Sequence, residues 1–467
     1  VPKSDSSTPR PRQTPQADHA SDQVGPALII ALAILAMVGS VSTDMFLAGL
    51  PRIRVDLNTT TATVQLTLSL FMVGMAVGQL FWGPLSDRLG RRGPLLVAVT
   101  LFALSSIAAP LATNIWMLVS IRLVQGFTGS AGVVIGRAVA RDRARGIQLA
   151  KVFSFIGMVL GIAPIASPII GGLVIGTIGW RGVLWIVFGV GVLMAISAFA
   201  LIPESLPEQH RLRGGSREFF GTLGDVVRDV PFLGYTASAI FGFGAMFSYI
   251  SGSSVVMQER YGLNGLQYTL CFAVNAVGML LMGFVNSRIV GRVQPDKILR
   301  VATGVMLAGS VVLFVLGELL PNMPVWLVIV LVFVTTTVNP LIMANTSTLG
   351  LSRHRKGAGM ASAFMGMLQY AVAGAVSPLV AVGGTVTLRS MSLVMVVSAA
   401  LAVAGNVVTR VSLRRRGETG HMTDDSGHEQ HPEPAPDSLP DSEAVPTDIQ
   451  DPGSTRSVDS ATERTEA

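Results

Sequence analysis

One carboxylate in this chain stands where carboxylates are costly. Asp44 lies well inside an apolar stretch, whereas Glu318 sits at a stretch end and the other acidic residues fall in polar links or in the two tails. In hydrocarbon a charged side chain must be paired or hydrated, so a lone acid there marks a group that exchanges charge with a proton, an ion or a basic partner. Arg122 is the one basic residue in the body of another such stretch. Asp44 and Arg122 are about seven and about eight residues from the same end of their stretches, which places them at similar depth if both are helical. An acid and a base at one depth relieve each other's desolvation, and a third polar group arriving between them could shift the balance. A static ion pair that only fixes helix packing is the plainer alternative.

No other reactive constellation competes. All six histidines, His19, His210, His354, His421, His428 and His431, lie outside the apolar stretches, so an imidazole relay has no members there. There is no HExxH and no paired carboxylate within a stretch, so neither a metal site nor an enzyme's cluster is expected. The lysines, Lys3, Lys151, Lys297 and Lys356, are not set in a phosphate-binding loop, so the chain has no ATP site of its own and a separate ATPase subunit is unnecessary. The single cysteine, Cys271, excludes an intrachain disulfide. No cofactor is implied, and any proton coupling must use a carboxylate.

The elements that position these residues follow from composition. Of 467 residues, 50% are hydrophobic and 13% are charged, against about 25% charged in soluble domains. Nearly charge-free stretches run over 26–50, 63–84, 93–111, 115–136, 152–178, 182–203, 232–256, 266–287, 298–317, 325–350, 357–383 and 390–409. Each can cross a bilayer core of about 30 Å as a helix. The expected fold is therefore all-α and integral to the membrane, with twelve transmembrane helices.

The Arg and Lys residues between stretches divide 23 to five between the two faces, so the positive-inside rule places both termini in the cytoplasm. This clustering also favours a lipid surface over nucleic acid as the partner of the basic residues. Trp116, Trp180 and Trp326 fall near expected outer ends and Trp82 near an inner end, where indole rings settle at the interface. The chain divides into a polar tail (1–23), a first six-helix half (24–203), a cytoplasmic linker (204–231), a second six-helix half (232–411) and an acidic, Pro- and Ser-rich tail (412–467), both tails reading as disordered.

An internal repeat supports that division. GPLSDRLGRR, Gly83 to Arg92, follows the second stretch, and a degenerate copy, GFVNSRIVGR, Gly283 to Arg292, follows the eighth. Parallel repeats of this kind relate two pseudo-symmetric six-helix halves. The first loop closely resembles the signature between helices two and three of the major facilitator superfamily. Further segments, STDMFLAGLP at 42–51, RLVQGFTGSAG at 122–132, a Gly and Pro run from Gly157 to Gly172, GWR at 179–181 and PESL at 203–206, resemble the Bcr/CflA group of drug and proton antiporters. The resemblance covers roughly residues 26–411.

That resemblance implies roles residue by residue. Asp44 and Arg122 fall in matching motifs and become the proton-coupling pair. Gly83, Asp87, Arg88, Gly90, Arg91 and Arg92 resemble a conformational latch whose acid pairs with a base at the inner end of helix four, Arg137 or Arg141; a charge run that only sets topology is the alternative. Gly157, Gly161, Pro164, Pro168, Gly171 and Gly172 resemble the antiporter motif of exporters, with plain tight packing as the alternative. Relatives that move cationic drugs can carry a second acid two turns before Asp44, where this chain has Ala36. Strongly cationic cargo is therefore not expected.

For a substrate pocket the sequence offers polar and aromatic residues near mid-span: Gln125, Tyr249, Asn275, Asn339, Gln369 and Tyr370, each equally readable as an interhelical hydrogen bond. Twenty Met and 20 Phe would suit an adaptable apolar cavity or an ordinary membrane core. The expected protein is a monomeric proton-coupled exporter of drug-like small molecules in the cytoplasmic membrane, working by alternating access. The resemblance implies neutral antibiotics of the chloramphenicol or bicyclomycin kind as cargo. A proton-coupled importer of a small nutrient and a transport-dead receptor or scaffold share the same fold.

Overall fold

The computed structural model describes residues 25–211, 221, 224–354 and 358–417. The first tail, part of the linker, the acidic tail from 418, and with them Arg213, Arg217, Arg355 and Lys356, lie outside the described residues. Twelve apolar helices follow one another: α1 (Pro26–Asp56), α2 (Thr61–Leu89), α3 (Arg92–Ala108), α4 (Ile115–Arg143), α5 (Gly146–Thr177), α6 (Trp180–Leu201), α7 (Val230–Arg260), α8 (Gly265–Ile289), α9 (Pro295–Leu319), α10 (Val325–Ser352), α11 (Ala358–Val380) and α12 (Leu388–Arg415). Eleven are long and apolar enough to cross a membrane, and α3 is a shorter apolar helix of 17 residues. At ~1.5 Å per residue α3 still covers about 26 Å, close to the thickness of the hydrocarbon. Each expected stretch falls on one of these helices.

Several helices outrun the apolar stretches on one face. There α2 continues to Leu89, α4 to Arg143 and α12 to Arg415, past the expected end of the second half at 411. Apolarity stops where Arg begins, but Arg is itself a good helix former, so the backbone continues. Gly83 and Pro84, expected in the loop after the second stretch, accordingly lie inside α2, and Gly90 makes the turn with φ +94°. We call this the basic face. On the opposite face Thr60, Asn114, Asn264 and Thr387 cap the starts of α2, α4, α8 and α12 by accepting backbone N–H bonds, the last two in reciprocal capping boxes.

Three helices are irregular along their length. α1 is built from Pro26–Ala36, Val38–Asp44, a 3-10 turn at Leu47–Gly49 and Leu50–Asp56. α7 ends in a π turn, Val256–Arg260, and α10 is interrupted at Val338, two residues before Pro340. Non-helical backbone at membrane depth survives only where protein or a cavity surrounds it, and Val38–Asp44 is buried from Val41 through Asp44.

The two six-helix halves meet mainly through α2 against α11 and α5 against α8. Near the opposite face they are also joined by hydrogen bonds. Gln65 Nε2 donates to Ser251 O at 2.7 Å, and Ser377 Oγ donates to Gln65 Oε1 at 3.0 Å. Ser254 Oγ donates to Leu47 O at 2.7 Å, Ser69 bonds the Gly374 carbonyl, and Arg54 pairs with Glu259 at 3.3 Å. Gly172 permits the close approach of α5 to α8: a Cβ there would stand 2.4 Å from Thr269 Oγ1. Among the described residues, no hydrogen bond or ion pair joins the halves near the basic face.

Of the four tryptophans expected at the interfaces, Trp116 and Trp326 are exposed at the opposite face. Trp180 and Trp82 are not interfacial anchors. Trp180 is buried and donates its N–H to Asp56 Oδ2 at 2.8 Å, and Trp82 packs on Phe127, whose carbonyl takes its N–H at 2.8 Å. In each case a protein acceptor replaces water.

Candidate functional site

A cavity of about 220 Å³ lies between the halves. α1 contributes Ser40, Thr43 and Asp44, together with Ala36 and Gly39; α4 contributes Arg137, α5 Leu160 and Pro164, and α11 Gln369 and Tyr370. The wall is completed by Met72 of α2, Phe243, Met246, Phe247 and Tyr249 of α7, and Phe272, Asn275 and Met279 of α8. The cavity therefore has an apolar, thioether- and ring-rich body with a few polar groups, the ordinary composition of a small-molecule site. Its closed end is the hydrogen-bonded contact of the halves described above, and Arg137 marks its basic-face end.

Asp44 is 7% exposed and faces the cavity, with Ser40 one turn earlier as its hydrogen-bonding neighbour. Among the described lining residues it is the only acid. Arg122 is fully buried behind it. Its guanidinium donates to Ser42 O at 2.7 Å and to Gln125 Oε1 at 3.2 Å, and rests over the rings of Phe71 and Phe46 at 4.6 and 4.7 Å. The expected Asp44–Arg122 ion pair is not formed. The break in α1 gives the reason: the Phe46 N–H, which a continuous helix would give to Ser42 O, goes to Thr43 O instead. The freed Ser42 carbonyl takes Arg122, and backbone and aromatic faces together hold a charge that a carboxylate was expected to hold.

Four of the six expected pocket residues, Tyr249, Asn275, Gln369 and Tyr370, line the cavity. Tyr249 stacks on Phe272 with ring centroids 5.7 Å apart, and the Asn275 amide meets Thr336 Oγ1 at 2.8 Å. Gln125 and Asn339 do not line it. Gln125 Nε2 donates to Ser106 Oγ at 2.9 Å and Asn339 Nδ2 donates to Gly242 O at 2.8 Å, each within its own half. In the Gly and Pro run of α5, Pro164 lines the cavity, Gly171 lies against the α1 break, and Gly172 lies against Thr269 of α8. A Cβ on Gly161 would stand 2.7 Å from the Leu280 side chain, while Gly157 faces open space.

The basic-face loop is bound into its own half. Asp87 pairs with Arg91, one turn on, rather than with Arg137 or Arg141, and Arg91 Nε also reaches Asp142 Oδ2 at 3.0 Å. Glu204, in the PESL segment after α6, was not singled out from the sequence. Its carboxylate accepts the backbone N–H groups of Arg91 at 2.8 Å and Arg92 at 3.2 Å and those of Ser205 and Leu206 at 3.0 Å. Burial opposes the charged form, but these four donors outweigh it and hold the Glu204 pKa below its ordinary 4.5. Gly90 is required there, because a Cβ would fall 2.5 Å from Glu204 Oε2. Arg92 donates to Phe199 O, Arg141 lies over the Phe153 ring at 6.0 Å, and Arg88 closes the last turn of α2.

Residues 32–378 match the model of the Major Facilitator Superfamily. The chain belongs to that superfamily. This major facilitator is 33% identical over 377 residues to the uncharacterized MFS-type transporter YdgK of Bacillus subtilis (strain 168), covering 80% of this chain and 93% of the relative. It is 32% identical over 353 residues to the bicyclomycin resistance protein homolog of Haemophilus influenzae, covering 76% and 88%. With a chloramphenicol resistance protein of Pseudomonas aeruginosa it shares 30% identity over 289 residues, 62% of this chain and 68% of the relative. In fold it is similar to the crystal structure of a D-xylose-proton symporter, with TM-score 0.64 and 15% identity over 80% of this chain and 96% of the other. It is a multi-pass membrane transporter and not an enzyme, and its similarity to the Bcr/CflA-like resistance proteins extends over most of its length.

Proposed function

We propose that this transporter exports drug-like small molecules in exchange for protons, with Asp44 as the proton carrier and the basic face in the cytoplasm. The observation that carries the reading is the position of Asp44, the only acid among the described residues lining a cavity that extends toward the basic face. The resistance proteins among the relatives support a drug-like cargo. Ala36 lines the same cavity two turns before Asp44, so the site that a second acid would use for a cation is apolar here.

In this mechanism cargo enters from the cytoplasm, against the Met and Phe wall, and displaces the proton on Asp44. The halves then rock about the cavity, the contacts at the opposite face part, and cargo leaves outward. Asp44 takes a proton from outside, which permits return. Arg122 is the positioning residue: by holding the Ser42 carbonyl it fixes the break in α1 and hence the orientation of Asp44. Both termini are cytoplasmic, and a monomer contains the whole site.

The test is drug-induced proton movement in inverted vesicles with an imposed pH gradient, across neutral and cationic antibiotics. A neutral antibiotic should dissipate the gradient with the natural chain and fail with Asp44→Asn. Proton movement driven instead by small nutrients added to the other face would replace export with import.

A further inference from the structure

We propose that Arg137 is a cargo-contacting residue, and that the transporter selects apolar molecules that carry an anionic or strongly hydrogen-bond-accepting head. This rests on the transport reading above and names the class of its cargo. The family resemblance offers Arg137 or Arg141, at the inner end of the fourth helix, as the partner of Asp87. That partnership is taken: Arg91 engages both Asp87 and Asp142. Arg137 is exposed, makes no ion pair among the described residues, and lines the cavity together with Asp44.

The lining thus holds two charged side chains of different kinds. Asp44 loses its charge whenever it carries a proton, whereas the Arg137 guanidinium keeps its charge throughout. By helical rise, Arg137 stands about 9 Å inside the basic-face end of α4 and Asp44 about 27 Å from the corresponding end of α1, so the two are separated by roughly 15–20 Å along the bundle. Between them lie Phe243, Phe247, Met246, Met279 and Tyr370. A molecule filling this space places its apolar body on rings and thioethers and its head at a planar fork of N–H donors. Carboxylate, phosphonate and nitro or carbonyl oxygens fit that fork, and an ammonium is repelled by it. Gln369 and Tyr370, which face the cavity from α11, are neutral and leave that preference in place. On α4 itself, Arg141 adds positive charge one turn further out, and Asp142 is held by Arg91.

The experiment uses the purified full-length chain and three fluorescent probes that share one apolar ring system: dansylglycine, its uncharged amide dansylglycinamide, and the cationic dansylethylenediamine. Binding is read at pH 7.5 for the natural chain, Arg137→Gln, Arg137→Lys and Arg137→Glu, each also in the Asp44→Asn background, which removes the other lining charge. Dansylglycine should bind the natural chain more tightly than its amide. Arg137→Gln should weaken dansylglycine roughly tenfold while leaving the amide within about twofold. Arg137→Lys should keep most of the preference for the carboxylate, and Arg137→Glu should turn it toward the cation. An unchanged carboxylate-to-amide ratio in both Arg137→Gln and Arg137→Glu overturns the proposal. So does a natural chain that binds the three probes alike. Because these readings need no proton gradient, they stand or fall separately from the effect of Asp44→Asn on coupling.

Discussion

The two faces of the bundle are held by bonds of opposite reach. At the face opposite the basic one, the outer face in the proposed orientation, polar contacts cross from one half to the other: Gln65 to Ser251 and Ser377, Ser254 to Leu47, Arg54 to Glu259. At the basic face the contacts among the described residues lie within a half. The first half gathers acids around a cation, with Arg91 between Asp87 and Asp142. The second gathers cations around an acid, with Arg353 at 2.6 Å and Arg416 at 3.2 Å from Asp229. Bonds inside a rigid half persist in every state of the cycle and so contribute to stability without favouring a state. Bonds between halves exist in one state and set its population. The basic-face loop, expected as a latch, acts on this reading as a brace.

That contrast can be broken in stages, using paired spin labels on each face to measure how the halves part. The largest effect is expected from Gly172→Val, because a Cβ there would lie 2.4 Å from Thr269 Oγ1 and 3.1 Å from Thr269 Cβ of α8, across the halves, and a branched side chain forces α5 off α8. Overpacking of about 3 kcal/mol would shift the population roughly a hundredfold away from the sealed outer face. Gln65→Leu removes two buried bonds between halves and should shift it about tenfold in the same direction. Arg54→Gln should shift it only two- to threefold, because the ion pair to Glu259 is about one-third exposed on both sides, at 36% and 34%. Parting of the outer face unchanged by Gln65→Leu would remove the population argument.

Braces should behave in the other way. Arg91→Ala leaves Asp87 beside Asp142 without their shared cation, so the melting midpoint should fall by a few degrees while the spin-label distances stay as they are. Glu204 gives the pH signature of the same brace. Its pKa is lower folded than unfolded, so its contribution is complete above about 4.5 and is lost as pH falls through the folded value. Acid titration of the melting midpoint should therefore show a component that Glu204→Gln removes, again without parting the outer face.

Much of this was legible in the residues. Twelve charge-poor stretches fixed the helices, because hydrocarbon admits few alternatives, and the scarcity of intramembrane charge singled out Asp44 and Arg122. The partner of Arg122 was not legible, since a backbone carbonyl becomes an acceptor only where a helix breaks, and nothing in VSTDMF announces a break at Thr43 to Phe46. Rotation of each helix about its axis was equally hidden. Gln125 and Asn339 share polarity with the lining residues but bond to partners within their own halves, whereas Arg137, expected to face the acid of the loop, lines the cavity. Glu204 was passed over because four backbone donors, not a side chain, make its site.

A single carboxylate among the described residues lining the cavity also has an electrical consequence for the proposed mechanism. In the proposed exchange one carboxylate offers one proton per turnover, so one positive charge enters the cell for each uncharged molecule that leaves. The exchange is then driven by membrane potential as well as by the pH difference, and 100 mV contributes about 2.3 kcal/mol, close to a fiftyfold concentration ratio. A monovalent anion leaving on Arg137 would move two charges and use that voltage twice, whereas a monovalent cation would draw nothing from it.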